Sequence, residues 1–331
     1  MLGEAGASPA FRKQSFLRSQ KPLAFEDIEK HGFIMTEEVV HPKPKLVGFA
    51  DFIERHWKPL TFVGIILLLF GAGVLMFNQI NTGAFMPRDF ELTGGKQIEM
   101  ILDSTPDMSA VKSALPGFSI DLVSGLHPTL LVKGSVTANE TEILSTLNGL
   151  GISGESSIRT IGPVLGELFW RQTQMAIIAA FILMSIVVFI LFRTFAPSSA
   201  VVLCAATDAI FALAVLSLMG EQLSLPVLAG TLMLIGYSVD TDIVLTTELL
   251  RSPGKEVPQR FRAAAKTGLT MSIAAIAALT TMYFISGSLV IQQISGVLII
   301  GLLCDIPSTW LTNAGILRWY LERKERKQKT V

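Results

Sequence analysis

Apolar residues in this chain gather in six long runs rather than in the short alternating or 3.6-residue stripes of a water-soluble core. The runs are Leu60–Phe77, Gln174–Phe192, Ser198–Met219, Leu225–Thr247, Thr267–Ser286 and Val290–Ile316. Each approaches or exceeds the ~20 residues that carry a helix across ~30 Å of hydrocarbon. The pattern predicts a polytopic α-helical membrane protein with six transmembrane helices. The first run starts too far into the chain for a cleaved signal peptide and is expected to remain as an anchor.

Polar stretches divide the chain further. Residues 1–56 read as a loose N-terminal tail and 57–80 as the first transmembrane helix. Residues 81–171 read as one folded domain, 172–317 as helices two to six, and 318–331 as a basic tail. Within Leu46–Trp57, apolar residues at helical spacing suit either an interfacial helix or an extension of the first span. In the large loop, Lys96–Asp103 alternates like a strand, and Asp107 can cap a helix through Ala114. Phe118–Val123 and Thr129–Lys133 suit strands joined by a turn at Ser124-Gly125. Asn139 or Thr141 can cap a second helix through Leu147, and Ile152–Ile161 returns as a strand. The order β-α-β-β-α-β predicts an α+β ferredoxin-like (βαββαβ) domain.

Composition agrees: of 331 residues 50% are apolar and 16% charged, with no formal net charge, which excludes an ordinary soluble enzyme or a disordered chain. The cations set the orientation. The N-terminal tail, the Arg193 turn, the Arg251–Lys266 loop and the C-terminal tail carry 21 of the 27 Lys and Arg. The positive-inside rule makes that side cytoplasmic, with both termini inside and the large loop outside a cell membrane.

Cys204 and Cys304 lie inside apolar runs and suit buried fillers, and the four histidines match no metal-ligand spacing. Nucleotide and dinucleotide fingerprints and a nucleophile elbow are missing from the sequence. Neither enzyme chemistry, nor a cofactor, nor a metal, nor nucleic acid is expected. Alanines at 200, 205, 209 and 212 in the third run, and at 274, 275, 277 and 278 in the fifth, predict close helix packing.

The chemistry points to acids in the membrane. Asp208, Asp240, Asp242 and Asp305 all fall inside the apolar runs. A carboxylate at mid-bilayer depth costs at least ~2.5 kcal/mol, so such residues are functional candidates by default. At ~1.5 Å per residue, Asp208, Asp240 and Asp305 fall at one level, ~15 Å from the cytoplasmic edge. Asp242 sits ~200° around its helix from Asp240, so the two cannot face one partner. Lys266 is the nearest cation, and four acids cannot all pair with it. That is the outline of an ion or proton relay of Asp240, Asp242, Lys266, Asp208 and Asp305. The alternative is helix glue, with the acids bridging to Thr207, Ser238, Thr246, Thr270, Ser272 or Thr280.

The segment from Gly236-Tyr237-Ser238-Val239-Asp240 to Thr247 resembles the fourth-helix signature of the SecF family of protein-export membrane proteins in its archaeal form. Gly162-Pro163-Val164-Leu165-Gly166 resembles that family's G-P-x-x-G element, and Asp89-Phe90 through Gly94-Gly95 its D-F-x-G-G element. The resemblance covers about residues 57 to 320. It implies one half of a twelve-helix assembly of the resistance-nodulation-division superfamily, with a SecD-like subunit as the other half. It further implies work with the SecYE translocon on exported polypeptide chains, driven in bacterial members by the proton gradient. In the bacterial motif, asparagine stands at the place of Asp240 and the acid at that of Thr241; Lys266 matches an arginine. Two further readings are a non-catalytic scaffold of the translocon and a stand-alone small transporter of the same superfamily.

Overall fold

The computed structural model describes residues 57–123, 127–251 and 257–329. The N-terminal tail with its candidate interfacial helix, the turn at Ser124-Gly125 and residues 252–256 lie outside the described residues. Among the described residues six helices are long and apolar enough to cross a membrane. After a short helical turn from Trp57, α1 spans Val63–Thr82. The short α2, Phe90–Thr93, leads into a sheet domain of β1 (Gly95–Ile101), α3 (Met108–Ala114), β2 (Ser119–Val123), β3 (Thr129–Gly134), α4 (Glu140–Gly149) and β4 (Glu155–Ile161). Then follow α5 (Pro163–Phe192), α6 (Phe195–Leu218), α7 (Leu225–Arg251), α8 (Val257–Ile285) and α9 (Leu289–Pro307). A π-helical turn, Ser308–Asn313, joins α9 to α10 (Ala314–Lys329).

The sheet has the order β2-β3-β1-β4 with antiparallel neighbours, the split arrangement expected from the loop pattern. Asp107 and Asn139 cap α3 and α4 by accepting from the backbone N–H groups of Ser109 and Thr141. Alternation sends Ile98, Met100, Ile120, Leu130 and Val132 toward the two helices, where they pack with Val111, Leu115, Ile143 and Leu147. The opposite face carries Gln97, Glu99, Leu131 and Lys133.

Three spans run further than hydropathy predicts, the last of them through α10 to Lys329, well past Ile316. α5 begins at Pro163, eleven residues before its apolar run, because Pro163 at the first helical position has no N–H to leave unpaired. α8 begins at Val257, so the described part of the Arg251–Lys266 loop is mostly helix. A helix need not stop at the hydrocarbon edge, which is all that hydropathy detects. The short α2 is also unforeseen; Asp89 caps it by accepting from the Phe90 N–H at 2.8 Å.

Close packing gathers the bundle around α6. Ala200, Ala205, Ala209 and Ala212 are all buried, as the small-residue spacing predicts. Gly71 of α1 lets that helix approach until a Cβ there would stand 3.2 Å from the Phe211 backbone. Gly301 of α9 admits the Leu234 side chain of α7. The second alanine set behaves differently: Ala274, Ala277 and Ala278 of α8 are exposed.

Candidate functional site

Helices α6, α7 and α9 each carry one carboxylate to the same buried region: Asp208, Asp242 and Asp305, all 0% exposed. Each oxygen of Asp208 has a hydroxyl partner. Its Oδ2 accepts from Ser238 of α7 at 2.6 Å and its Oδ1 from Ser308 of the π turn at 2.7 Å. Asp242 Oδ1 accepts from Asn313 Nδ2 at 2.7 Å and lies 2.8 Å from Thr309 Oγ1. Thr309 Oγ1 is also 3.0 Å from Asp305 Oδ1. Asp242 Oδ2, Asp305 Oδ2 and Asn313 Oδ1 are buried without a hydrogen-bond partner.

The π turn makes this arrangement possible. Pro307 ends α9 without an N–H to donate, and the chain continues in a wider turn before returning to α-helix. Asp305, Thr309 and Asn313 thereby stack along the face that meets α7. Trp310, 1% exposed, anchors the turn from another side. It packs edge-on to Phe261 with ring centroids 6.0 Å apart. A Cβ on Gly268 of α8 would stand 2.4 Å from its ring, so only glycine leaves room for the indole.

The candidate residues therefore divide. Asp208, Asp242 and Asp305 are brought together. Asp240 is exposed, in line with Ala229, Met233, Gly236 and Tyr237 on the outer face of α7. Lys266 is exposed on α8. The ~200° offset between Asp240 and Asp242 thus sends one acid outward and one into the chain's own bundle. Of the six expected hydroxyl partners, Ser238 binds an acid. Thr207 and Thr270 bond backbone carbonyls of their own helices, and Thr246 and Ser272 are buried without a partner. Ser308, Thr309 and Asn313 were not anticipated. Their signal was present as polar residues breaking the sixth apolar run just after Asp305 and Pro307. Among the described residues no three His, Cys, Asp or Glu side chains are placed to hold a metal ion.

The glycine motifs form a second construction, at the sheet-domain end of the bundle. A Cβ on Gly94 would stand 2.6 Å from the Pro163 Cα, and one on Gly166 2.6 Å from the Gly94 nitrogen. Gly94 also has φ of 83°, a conformation that favours glycine. The two elements interlock, backbone on backbone. Gly95 is squeezed between Phe90 and the Gly134 carbonyl, whereas Gly162 and Gly236 have open space around them.

Known proteins resemble this chain over most of its length. The family described as "Protein export membrane protein SecD/SecF, C-terminal" matches residues 146–323. The protein-export membrane protein SecF of Methanothermobacter thermautotrophicus is 38% identical over 288 residues, covering 84% of this chain and 97% of that protein. SecF of Pyrococcus furiosus is 36% identical over 300 residues, 88% and 99% of the two chains. The fold is similar to the crystal structure of SecDF, a translocon-associated membrane protein from Thermus thermophilus. The TM-score is 0.62 at 19% identity over 89% of this chain. This chain spans 41% of that SecDF chain.

Proposed function

The chain belongs to the SecF family of protein-export membrane proteins, and from that membership we propose that it serves as an accessory subunit of the Sec protein translocase. It pairs with a SecD-like membrane subunit, works beside the SecYE translocon and assists exported polypeptide chains across the cell membrane. The similarity in fold to 41% of a SecDF chain supports a SecD-like subunit as the partner. The exposed α7 stripe through Tyr237 and Asp240 suits the contact with that subunit. So does the exposed alanine face of α8, because small residues let a partner helix approach closely. Both termini lie in the cytoplasm and the sheet domain outside, a reading supported by the placement of the cations.

One observation carries the mechanism: Thr309 has a single hydroxyl proton and two carboxylates, Asp242 and Asp305, within hydrogen-bond distance. A proton held by either acid completes the set, and the Thr309 hydroxyl bridges the two. A carboxylate pair that shares one donor, away from water and on different helices, suits exchange of a cation with a gradient. Asp208 has both oxygens satisfied, which favours a bracing role at that position.

The deciding experiment is proton flux and export by the reconstituted complex, with and without Asp242→Asn. Loss of both, with the SecD-like partner still co-purifying, is the expected result. Normal export by the variant would leave a scaffold role as the better account.

A further inference from the structure

We propose that Asp89, Glu91 and Lys133 form the joint through which the sheet domain moves together with α7, and that Glu91 is the positioning residue of that joint. This inference rests on the functional reading above, because α7 is the helix that presents Ser238 and Asp242 to the buried acids.

The covalent routes from the sheet domain lead into α1 and α5; α7 has none. Its N-terminal end is nevertheless held by the segment ahead of the sheet. The Leu223 N–H donates to the Pro87 carbonyl at 2.7 Å, and the Asp89 N–H to the Leu223 carbonyl at 2.9 Å. These bonds make a short parallel bridge at Arg88 and Leu223. Glu91 Oε2 then accepts from the Leu225 N–H at 3.0 Å, capping α7 from a different part of the chain. The first N–H groups of a helix have no partner within it, and a negative charge there also suits the helix dipole.

The sheet grips the same segment from the other side. Lys133, on the face of β3 turned away from the helices, pairs with Asp89 Oδ2 at 3.0 Å; both side chains are almost wholly buried. Apolar residues usually fill such a place at no loss of stability, so a buried ion pair at a junction suits a role in fixing register. From the sheet inward, the contacts run Lys133 to Asp89, across α2 to Glu91, and on to Leu225. From there α7 is regular helix, which places Ser238 ~20 Å and Asp242 ~26 Å away at ~1.5 Å per residue. A tilt of the sheet domain passed through Glu91 reaches the Ser238–Asp208 and Asp242–Thr309 hydrogen bonds as a shift of one rigid rod.

The test uses the full complex and two readouts: export rate, and the infrared carbonyl band of the buried acid, assigned by its loss in Asp242→Asn. Glu91→Ala, which removes the acceptor for Leu225, is expected to slow export about tenfold, within the usual range of coupling between sites, and to shift the Asp242 band. Glu91→Gln keeps an acceptor oxygen and should restore both. The double variant Asp89→Asn/Lys133→Met, which leaves no unpaired buried charge, should slow export while the partner still co-purifies. A Glu91→Ala protein whose melting temperature falls while the band and the export rate stay at wild-type values would overturn the joint. Normal export by Asp242→Asn would sink the functional reading instead, and the band shift would still decide the joint.

Discussion

Asn313 donates its amide proton to Asp242 across the junction between the π turn and α7, at 2.7 Å, with both side chains fully buried. The amide thereby stabilises a carboxyl group that water cannot reach. It also spends a position of the last spanning helix on a polar residue, which packing alone would not select.

Replacing that amide should be costly. In Asn313→Leu, Asp242 Oδ1 keeps Thr309 alone, and a buried acceptor that loses a partner costs about 1–3 kcal/mol. A lowered melting temperature in detergent is the expected outcome. Asn313→Asp, which adds a fourth acid to the cluster, should lower the melting temperature as well, because a further carboxyl group at that depth costs at least ~2.5 kcal/mol.

Asp240 should behave in the opposite way. It is exposed in this chain, so Asp240→Leu is expected to leave the melting temperature of the isolated subunit unchanged or raised. Co-purification with a SecD-like partner should fall. Equal partner recovery by variant and wild type would remove Asp240 from the contact surface.

The interlocked glycines allow a sharp contrast. Gly166→Ala places a Cβ 2.6 Å from backbone nitrogen that cannot move aside, and overpacking of that kind costs about 1–3 kcal/mol. Gly162→Ala has open space and should be nearly silent. Melting temperatures of the two variants, measured side by side, check the pair.

Glu91 supplies a pH dependence. Burial holds its carboxyl above the ordinary value of 4.5, against the lowering effect of the Leu225 N–H. A raised acid favours the folded state most when neutral. Its contribution is therefore complete below about 4.5 and is lost as pH rises through the raised value. The melting temperature of wild type relative to Glu91→Gln should fall across that window. A flat difference would mean that Glu91 ionises as freely in the folded protein as in the unfolded chain.

Six spans, the split sheet domain and the presence of unusual acids were all legible in the order of residues. Hydrocarbon sorts apolar runs by length, and turn and cap residues act over a few positions, so both signals are local. Even the opposed directions of Asp240 and Asp242 follow from helical geometry. Which of the two turns inward does not, because helical spacing is the same for either rotation of α7. Packing of α7 against α6 and α9 settles it, with Asp242 buried and Asp240 exposed. The partners of the acids were hidden for a related reason. Ser308, Thr309 and Asn313 reach them through a π turn after Pro307, and the interlock of Gly94 with Pro163 and Gly166 joins segments about seventy residues apart. Local chemistry determined the elements and their capacity to hold charge; only the meeting of distant segments decided which charges share a proton donor.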